Sequence, residues 1–430
     1  MARILIHSLV FSPDGVSTAY LMSDLATELV RGGHQVTVLT TTPHYNPEPA
    51  ALARQPITTV WRGLLGKSTF RGTTVFHVNM PAKGRKLLAR VFDYLRFHAV
   101  SLAATLSTVG PYDLVLVPSP PLTMGVLGWL QGLLRGVPAV YNVQEIYPDV
   151  LINQGLIRHR WQIALLRALE RFVYARNAMI VPISEWFSQT LAKRGVPRAK
   201  LTVIPNFVDT QLYRPLSRRN SFAEQYGLLD RFTVLYGGNL GLTQDWESFL
   251  AAAQALSYKP IVFVLVGDGV RRSWLESEIK RRHLTNVRLL GYQPRELMPE
   301  INAASDLGTI PMTRTSTTDT FPSKIYTIMA CGKPVVVSAD PNSELAWLVA
   351  QAGCGQVVPP EDPRAYTRAI LRAFEDQEGG AAAGERGRQY VRQTYSKEAV
   401  GQAYCRLVET LLASASASGA APATQHAGDR

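Results

Sequence analysis

Short apolar runs rich in β-branched residues recur along this chain, and most are followed by a stretch in which apolar positions return every three or four residues. In the first half the runs are RILIHSL (3–9), QVTVLT (35–40), TVFHVN (74–79), DLVLVPS (113–119), AVYNVQ (139–144), AMIVPIS (178–184) and LTVIPN (201–206). In the second half they are FTVLYGG (232–238), IVFVLVGDG (261–269), VRLLGY (287–292), LGTIPM (307–312), PVVVS (334–338) and GQVVPP (355–360). Runs this continuous predict strands buried on both faces. Segments between them, such as STAYLMSDLATELVRGG (17–33) with its Gly32-Gly33 stop, predict covering helices. Such strands alternating with helices specify parallel sheets flanked by helices. The expected fold class is α/β, with two Rossmann-like, doubly wound domains in series.

The two series are separated by NFVDTQLYRPLSRRN (206–220), where patterned strands give way to proline, arginine and polar residues. The expected division is a first domain over 1–208, a linker over 209–218 and a second domain over 219–395. A last amphipathic helix follows over 396–412. Residues 413–430 are small and polar, a composition that predicts disorder.

Length and composition agree with this division. A chain of 430 residues exceeds what one core usually supports, and 46% hydrophobic residues are ample for two. Three cysteines, Cys331, Cys354 and Cys405, lack the short spacing of a disulfide framework or a metal site and suit a reducing compartment. MARILIHSLVF reads as the first buried strand, because a Pro-Asp-Gly turn follows it and no small-residue cleavage site does. The longest apolar stretch, LTMGVLGWLQGLL (122–134), is too short to span a bilayer. The expected location is cytoplasmic, soluble or peripheral on the inner face of the cell membrane.

The net charge of +12 is unevenly placed. Residues 1–210 hold 21 Lys/Arg against 11 Asp/Glu, and the remainder hold 24 against 22. A basic first half either faces an anionic partner or simply confers solubility. Within it, KGRKLLARVFDYLRFH (83–98) places Leu87, Leu88, Val91, Phe92 and Leu95 on one helical face, with Lys83, Arg85, Lys86, Arg90 and Arg96 around the rest. Such a helix can lie on an anionic membrane, making Arg85, Lys86, Arg90 and Phe92 the candidate contacts. Ordinary packing of a surface helix requires the same stripe, and both readings stay open. Nucleic acid is not an expected partner, since no recognisable module or basic stripe interleaved with aromatics is present.

Three glycine turns follow strands in the second half. VLVGDGVRRSWLE (264–276) ends a buried strand in Gly267-Asp268-Gly269, and LYGGNLGLTQDWE (235–247) carries Gly238. Glycines at a strand's carboxyl end let a ligand approach the backbone, although a tight turn alone uses them too. The first lacks the third glycine of a dinucleotide fingerprint. The third turn is DTFPSKIYTIMACGKPVVVS (319–338): Pro322 suits the first helical position, Gly332 ends the helix and Pro334 stops its continuation. The start of that helix, with Lys324 nearby, suits a diphosphate, while a plain connecting helix is the other reading. In the first half, FSPDGVST (11–18) sets Gly15 and Ser17 in a turn between strand and helix. YNVQEIYPDV (141–150) places Glu145 and Asp149 beyond a buried strand. Carboxylates there can accept hydrogen bonds from sugar hydroxyls. Asp149 is equally explained as helix N-terminal charge.

Taken together, these residues resemble glycosyltransferase family 4, the retaining nucleotide-sugar transferases of the GT-B fold, to about residue 410. The segment from Pro13 to Tyr45 is similar to the family's N-terminal glycine loop and helix. VIPNFVDTQLYRP (203–215) resembles its domain junction, and GGN, VGDG and MACGKPVVVS resemble its donor-side motifs in order. VQEIYPD, GGNLGLTQ and PSKIYTIMACGKPVV look like the subgroup that builds bacterial exopolysaccharide and O-antigen sugars. The resemblance implies two domains whose parallel sheets face across a cleft, with a nucleotide-sugar on the second and the acceptor on the first. It also implies a last helix that crosses back to the first domain.

Two departures stand out. The family's arginine and lysine after the first donor-side glycine correspond to Asn239 and Gln244, both neutral. Its two glutamates, eight positions apart, correspond to Asp319 and Thr327. Thr327 can make one hydrogen bond to a ribose but no charged, bidentate one. Lys324 and Arg314 are the cations at hand to replace the lost charge. The expectation is a metal-independent retaining hexosyltransferase that needs no cofactor beyond its nucleotide-sugar substrate. In that expectation Asp319, Lys324 and Glu145 are central. Gly238, Asn239, Gln244, Gly267, Asp268, Gly269, Tyr292, Arg314, Pro322, Ser323 and Thr327 bind the donor, and Gly15, Ser17 and Asp149 lie on the acceptor side. The acceptor expected is a polyprenyl-diphosphate-linked saccharide. The alternatives are a catalytically silent, membrane-associated scaffold of a polysaccharide complex and a GT-B sugar-nucleotide epimerase.

Overall fold

A computed structural model describes residues 1–419 apart from 46, 48, 62, 82–86, 154 and 318–320, with backbone alone described at 87–91 and 415–419. The chain forms two compact units. The first comprises Met1–Tyr147, Trp161–Pro205 and the last helix from Glu398; the second comprises Pro148–Arg160 and Asn206–Lys397. Compared with the boundaries expected at 208 and 219, the change of unit comes at Asn206, and the short segment Pro148–Arg160 packs with the second unit.

The first unit is built on β1 (Arg3–His7), β2 (Gln35–Thr41), β3 (Thr58–Trp61), β4 (Leu65–Phe70), β5 (Thr73–Val78), β6 (Leu114–Pro118), β7 (Ala139–Val143) and β8 (Met179–Pro182). Their order in the sheet is β3-β4-β5-β2-β1-β6-β7-β8. From β5 to β8 neighbouring strands are parallel. The β3–β4–β5 edge is antiparallel, which corrects the expectation of a purely parallel sheet. Polar residues and glycine (Gly63, Gly66, Lys67) interrupt the apolar pattern there, so the edge carries no buried-strand signature. LTVIPN also does not become a strand. Thr202 and Ile204 N–H donate to the Ile180 and Pro182 carbonyls, so the segment pairs on one side only, and Pro205 follows without an N–H.

The second unit holds β9 (Phe232–Gly237), β10 (Ile261–Val266), β11 (Val287–Leu290), β12 (Leu307–Pro311), β13 (Val335–Ser338) and β14 (Gly355–Val358), in the order β11-β10-β9-β12-β13-β14. All neighbours are parallel. Strand β10 shows why its run is continuously apolar. Ile261, Phe263 and Leu265 join Phe249, Leu275 and Tyr366 on one face, and Val262, Val264 and Val266 join Phe222 and Ile301 on the other. Strand order reverses between β9 and β12, the place where open α/β sheets bind ligands at their carboxyl ends.

The last helix spans Lys397–Gly419, so 413–419 continue it where disorder was expected; 420–430 lie outside the described residues. Alanine, the best helix former, alternates with serine through that stretch and lets the last turns persist. From Glu398 the helix packs on Ser17–Arg31 through two glycines. Cys405 Sγ stands 2.5 Å from where a Cβ on Gly32 would lie, and Gly401 faces the Glu28 side chain. At the other end, Val208 and Ser396 form a parallel bridge, and the Lys397 ammonium donates to Asp209 at 2.6 Å.

Candidate functional site

The turns after β9 and β10 lock into one another. Gly238 N–H donates to the Val266 carbonyl and Leu240 N–H to the Asp268 carbonyl, both at 2.9 Å. Gly238, Gly267 and Gly269 have φ of +138°, +145° and +158°, and a Cβ on Gly267 would run into the Gly238 carbonyl. Only glycine meets both demands, so these residues bring backbone against backbone. Asn239 is exposed, with its side-chain oxygen 2.7 Å from where a Cβ on Gly269 would stand. Asp268 accepts the Gly269 N–H at 2.7 Å. Gln244 closes its own turn: Oε1 accepts from Gly241 N–H at 3.0 Å, and Nε2 donates to Thr243 Oγ1 at 2.7 Å. The two neutral residues that stand for the family's cations thus shape the turns.

The cation comes from elsewhere. Lys324 Nζ donates to the Tyr236 hydroxyl at 2.5 Å and lies 3.8 Å from the centre of that ring. It also stands 3.0 Å from where a Cβ on Gly238 would be. Tyr236 belongs to β9 and is fully buried, and burial raises its phenol pKa, so it stays protonated and donates to the Asn239 carbonyl at 2.7 Å. Trp246 meets its ring edge-on at 4.8 Å and donates to the Gly241 carbonyl at 2.9 Å. Lys324 is half-buried, and burial lowers its pKa to about 7. The result is a desolvated cation at the mouth of the β9 turn. Tyr236 was not singled out in the sequence; its signal is the one tyrosine in an otherwise apolar strand immediately before Gly237-Gly238.

Lys324 opens a helix of seven residues, Lys324–Ala330, with Ser323 at the cap position and Pro322 before it, so the helix starts two residues after the proline expected to open it. Gly332 stops it with φ of +69°. Thr327 Oγ1 donates to the Lys324 carbonyl at 2.8 Å, so its hydroxyl keeps only acceptor capacity for a ligand. Arg314 is largely exposed and holds a loose surface ion pair. Glu361 lies 3.7 Å from its guanidinium and accepts its backbone N–H at 3.1 Å, and Pro360 carbonyl accepts from its Nη2 at 3.2 Å. Glu361 adopts φ of +58° and itself donates to Asp245 at 3.1 Å, fastening the β14 loop to the β9 loop. Tyr292 is exposed beyond β11. Asp319 lies outside the described residues.

In the first unit, Gly15 is buried and Ser17 is the exposed first residue of helix Ser17–Arg31. The turn between them is fixed from below, with Asp14 accepting the His44 and Tyr45 N–H groups at 3.1 Å each. Burial raises the Glu145 pKa, opposed by a hydrogen bond from Tyr147. Tyr147 also senses Tyr94 and Tyr45, whose hydroxyls are 3.3 Å apart. Three tyrosines therefore gather around Glu145, a grouping the sequence did not reveal. Asp149 is the first residue of helix Asp149–Asn153 and falls in the second unit, where the helix-terminal reading accounts for it. The basic segment enters helix Leu87–Ser107, on which Phe92 and Leu95 are exposed. Arg85 and Lys86 lie outside the described residues, as does the side chain of Arg90.

Residues 18–206 match the glycosyl transferase 4-like domain, and residues 218–390 match the glycosyl transferases group 1 domain. The chain belongs to the family 4 glycosyltransferases. It is 24% identical over 93% of its length, and 97% of the relative's, to the putative colanic acid biosynthesis glycosyl transferase WcaI of Escherichia coli. It is 25% identical over 62% of its length, and 67% of the relative's, to an E. coli UDP-Gal:alpha-D-GlcNAc-diphosphoundecaprenol alpha-1,3-galactosyltransferase. Among solved structures, Anabaena HepE in complex with UDP-glucose shares the fold at a TM-score of 0.71 and 18% identity, covering 95% of this chain and all of that one. Sucrose-phosphate synthase from Thermosynechococcus elongatus does so at 0.72 and 17% identity, with 96% and 100% coverage. This glycosyltransferase has the GT-B fold, and its second unit carries the glycine turns and Lys324 at the carboxyl ends of β9 and β10.

Proposed function

We propose that this glycosyltransferase moves a hexose-type sugar, with retention and without a metal, from a nucleotide-diphosphate donor to a polyprenyl-diphosphate-linked saccharide in exopolysaccharide or O-antigen synthesis. The observation that carries the reading is the Lys324 ammonium held beside the backbone of Gly238, where interlocked glycine turns leave no side chain in a diphosphate's way. Chemistry of this kind is mainly electrostatic: amides and a cation stabilise charge building on the departing diphosphate. A diphosphate oxygen then takes the acceptor's proton on the same face. Asp319 is assigned to the donor sugar, the Thr327 oxygen to the ribose, and Asp268 and Tyr292 to the nucleotide. Glu145, Gly15 and Ser17 are assigned to the acceptor. Relatives named for colanic acid and for diphosphoundecaprenol-linked sugars support the acceptor class. A lipid-linked acceptor also fits the basic first half, with Arg85, Lys86, Arg90 and Phe92 set toward an anionic membrane.

The test is a panel of UDP-, GDP-, ADP- and dTDP-sugars read by thermal shift and slow donor hydrolysis, with EDTA present throughout. One donor class should raise Tm and be hydrolysed, because a ligand that binds only the folded state stabilises it by mass action. Gln244, neutral and bound into its own turn, favours a second reading, a catalytically silent scaffold. Failure of every nucleotide to move Tm would count against the donor reading and for the scaffold.

A further inference from the structure

Helix Arg160–Arg176 is apolar on both sides: Ile163 and Leu166 lie half-buried on the side of Val173 and Tyr174, and a second apolar set faces outward. Its buried residues are Glu170, Val173 and Tyr174, all in its second half. At 100° per residue these define one face, and the opposite face is formed by Trp161, Ala164, Leu165, Ala168 and Phe172. Trp161 and Leu165 are 67% and 62% exposed. A helix that packs on a sheet places such residues inward, so this one is built for a second apolar medium.

Charge identifies the medium. The helix holds four arginines (Arg160, Arg167, Arg171, Arg176) and one carboxylate, Glu170. Glu170 is turned inward and neutralised by Arg194 at 2.5 Å and Arg167 at 3.3 Å. The outward face therefore shows apolar residues edged by arginine with no acid among them. Arg176 stacks over Trp129 and Phe172, which meet edge-on at 5.0 Å, so the aromatic surface continues onto helix Thr123–Arg135. That helix in turn is bonded to helix Leu87–Ser107 through His98 and Thr123 at 2.9 Å, where Phe92 and Leu95 are 72% and 61% exposed. Apolar residues flanked by arginines on helices in contact with one another match an anionic bilayer, whose headgroups attract the cations while its acyl boundary takes the rings.

We propose that helix Arg160–Arg176 is a membrane-docking element that seats Trp161 and Leu165 in an anionic lipid surface. The proposal goes beyond sugar transfer and is tested apart from it. The full-length protein is mixed with vesicles of phosphatidylcholine containing 30% phosphatidylglycerol, and with phosphatidylcholine alone. Binding should require the anionic lipid and weaken with salt. Trp161→Ser with Leu165→Ser should lower the bound fraction at least fivefold, and Arg160→Glu with Arg171→Glu should do the same. Brominated lipid should quench tryptophan fluorescence in the parent and lose most of that effect in Trp161→Phe. All four residues are exposed, so each variant should keep the parent's Tm. Vesicle binding unchanged in both double variants would overturn the proposal. So would a parent that ignores vesicles but dimerises through this face, with Trp161→Ser and Leu165→Ser restoring the monomer. Either failure leaves the nucleotide-induced rise in Tm intact, which keeps the donor reading separate.

Discussion

The Lys324 ammonium rests on Tyr236, 2.5 Å from the phenolic oxygen and 3.8 Å from the ring centre, so a residue of one loop is held by the strand that precedes another. This crossing sets a cation beside turns whose own residues Asn239 and Gln244 are neutral. A lysine held over a ring keeps its position with no carboxylate partner among the described residues, and a cation held in this way attracts an arriving diphosphate.

Removing that cation should be costly for turnover. Lys324→Ala should lower donor kcat/KM tenfold or more, since one lost charge-assisted hydrogen bond is worth about 1.5–3 kcal/mol. Tyr236→Phe keeps the ring and loses only the hydroxyl, so a smaller loss, expressed mainly in donor KM, is expected. Steady-state kinetics with the donor selected by the thermal-shift panel decides this. Parent-like kinetics in Lys324→Ala would remove Lys324 from the site.

The same residue makes donor binding depend on pH. Burial lowers the Lys324 pKa from 10.5 to about 7, so the folded, unliganded protein loses this proton as pH rises through 7. The titratable groups on the turns beside it are Tyr236, which stays protonated, and Asp268, which accepts from Gly269. Arg272 is engaged by the Gly267 and Leu290 carbonyls. An incoming diphosphate favours the charged form, so binding above pH 7 must take up a proton and weaken as pH rises. For folding the sign is opposite. Between pH 7 and 10.5 the unfolded chain holds the proton and the native state does not, so this group's burial penalty is full below 7 and relieved above it. Calorimetry of nucleotide-sugar binding in buffers of different ionisation enthalpy should show uptake approaching one proton at pH 8.5 and little at pH 5.5. Lys324→Arg, always charged, should abolish the difference.

Much of the architecture was written in local pattern. The inner strands of the second unit were legible because they are buried on two faces and read as nearly unbroken apolar runs, as Ile261–Val266 does. The edge strands Val287–Leu290 and Gly355–Val358 are shorter and partly exposed, and kept enough of the pattern to be read. The β3–β4 edge was not, because half-exposed strands such as Thr58–Trp61 carry no such run. At the site, Lys324 was legible as a cation near a helix start, but its partner lies 88 residues away on a neighbouring strand, a distance sequence spacing cannot report. The surroundings of Arg314 were hidden for the same reason, its neighbour Glu361 standing 47 residues on. Helix Arg160–Arg176 shows a further limit: with apolar residues on both faces, its sequence does not report which of them is packed and which is left outward.

Gly267 tests whether the turns must interlock. Alanine there would place a methyl against the Gly238 carbonyl at a φ of +145°, a region L-residues avoid. Strain of this kind costs about 1–3 kcal/mol even without the overlap, and here the obstacle is backbone that cannot swing aside. Gly267→Ala should lower Tm and lose the nucleotide response together. A variant of parent stability that still binds would show that the turns separate freely.

The last prediction concerns the ion pair beside the Val208–Ser396 bridge. Lys397 and Asp209 are both largely buried and 2.6 Å apart, and the Asp209 carboxylate also accepts from the Gln211 and Leu212 N–H groups at 3.0 Å. Burial alone would raise the Asp209 pKa, but the hydrogen bond from Lys397 and those two amides outweigh it and leave the pKa lowered. The stabilisation from this carboxylate is therefore complete above pH 3.8, its ordinary value, and is lost as pH falls through the lower folded-state value. Lys397→Ala strands a buried carboxylate and should destabilise the protein by about 3–5 kcal/mol, the cost seen when one member of a buried pair is removed. Asp209→Asn keeps an acceptor for both amides and should cost less. Urea unfolding of the two variants at pH 7, repeated at pH 4, separates the cases. The Lys397→Ala deficit should shrink at the lower pH, as the stranded carboxylate takes up a proton. A deficit of equal size at both pH values would mean that packing of the lysine stem, rather than its charge, holds the two segments together.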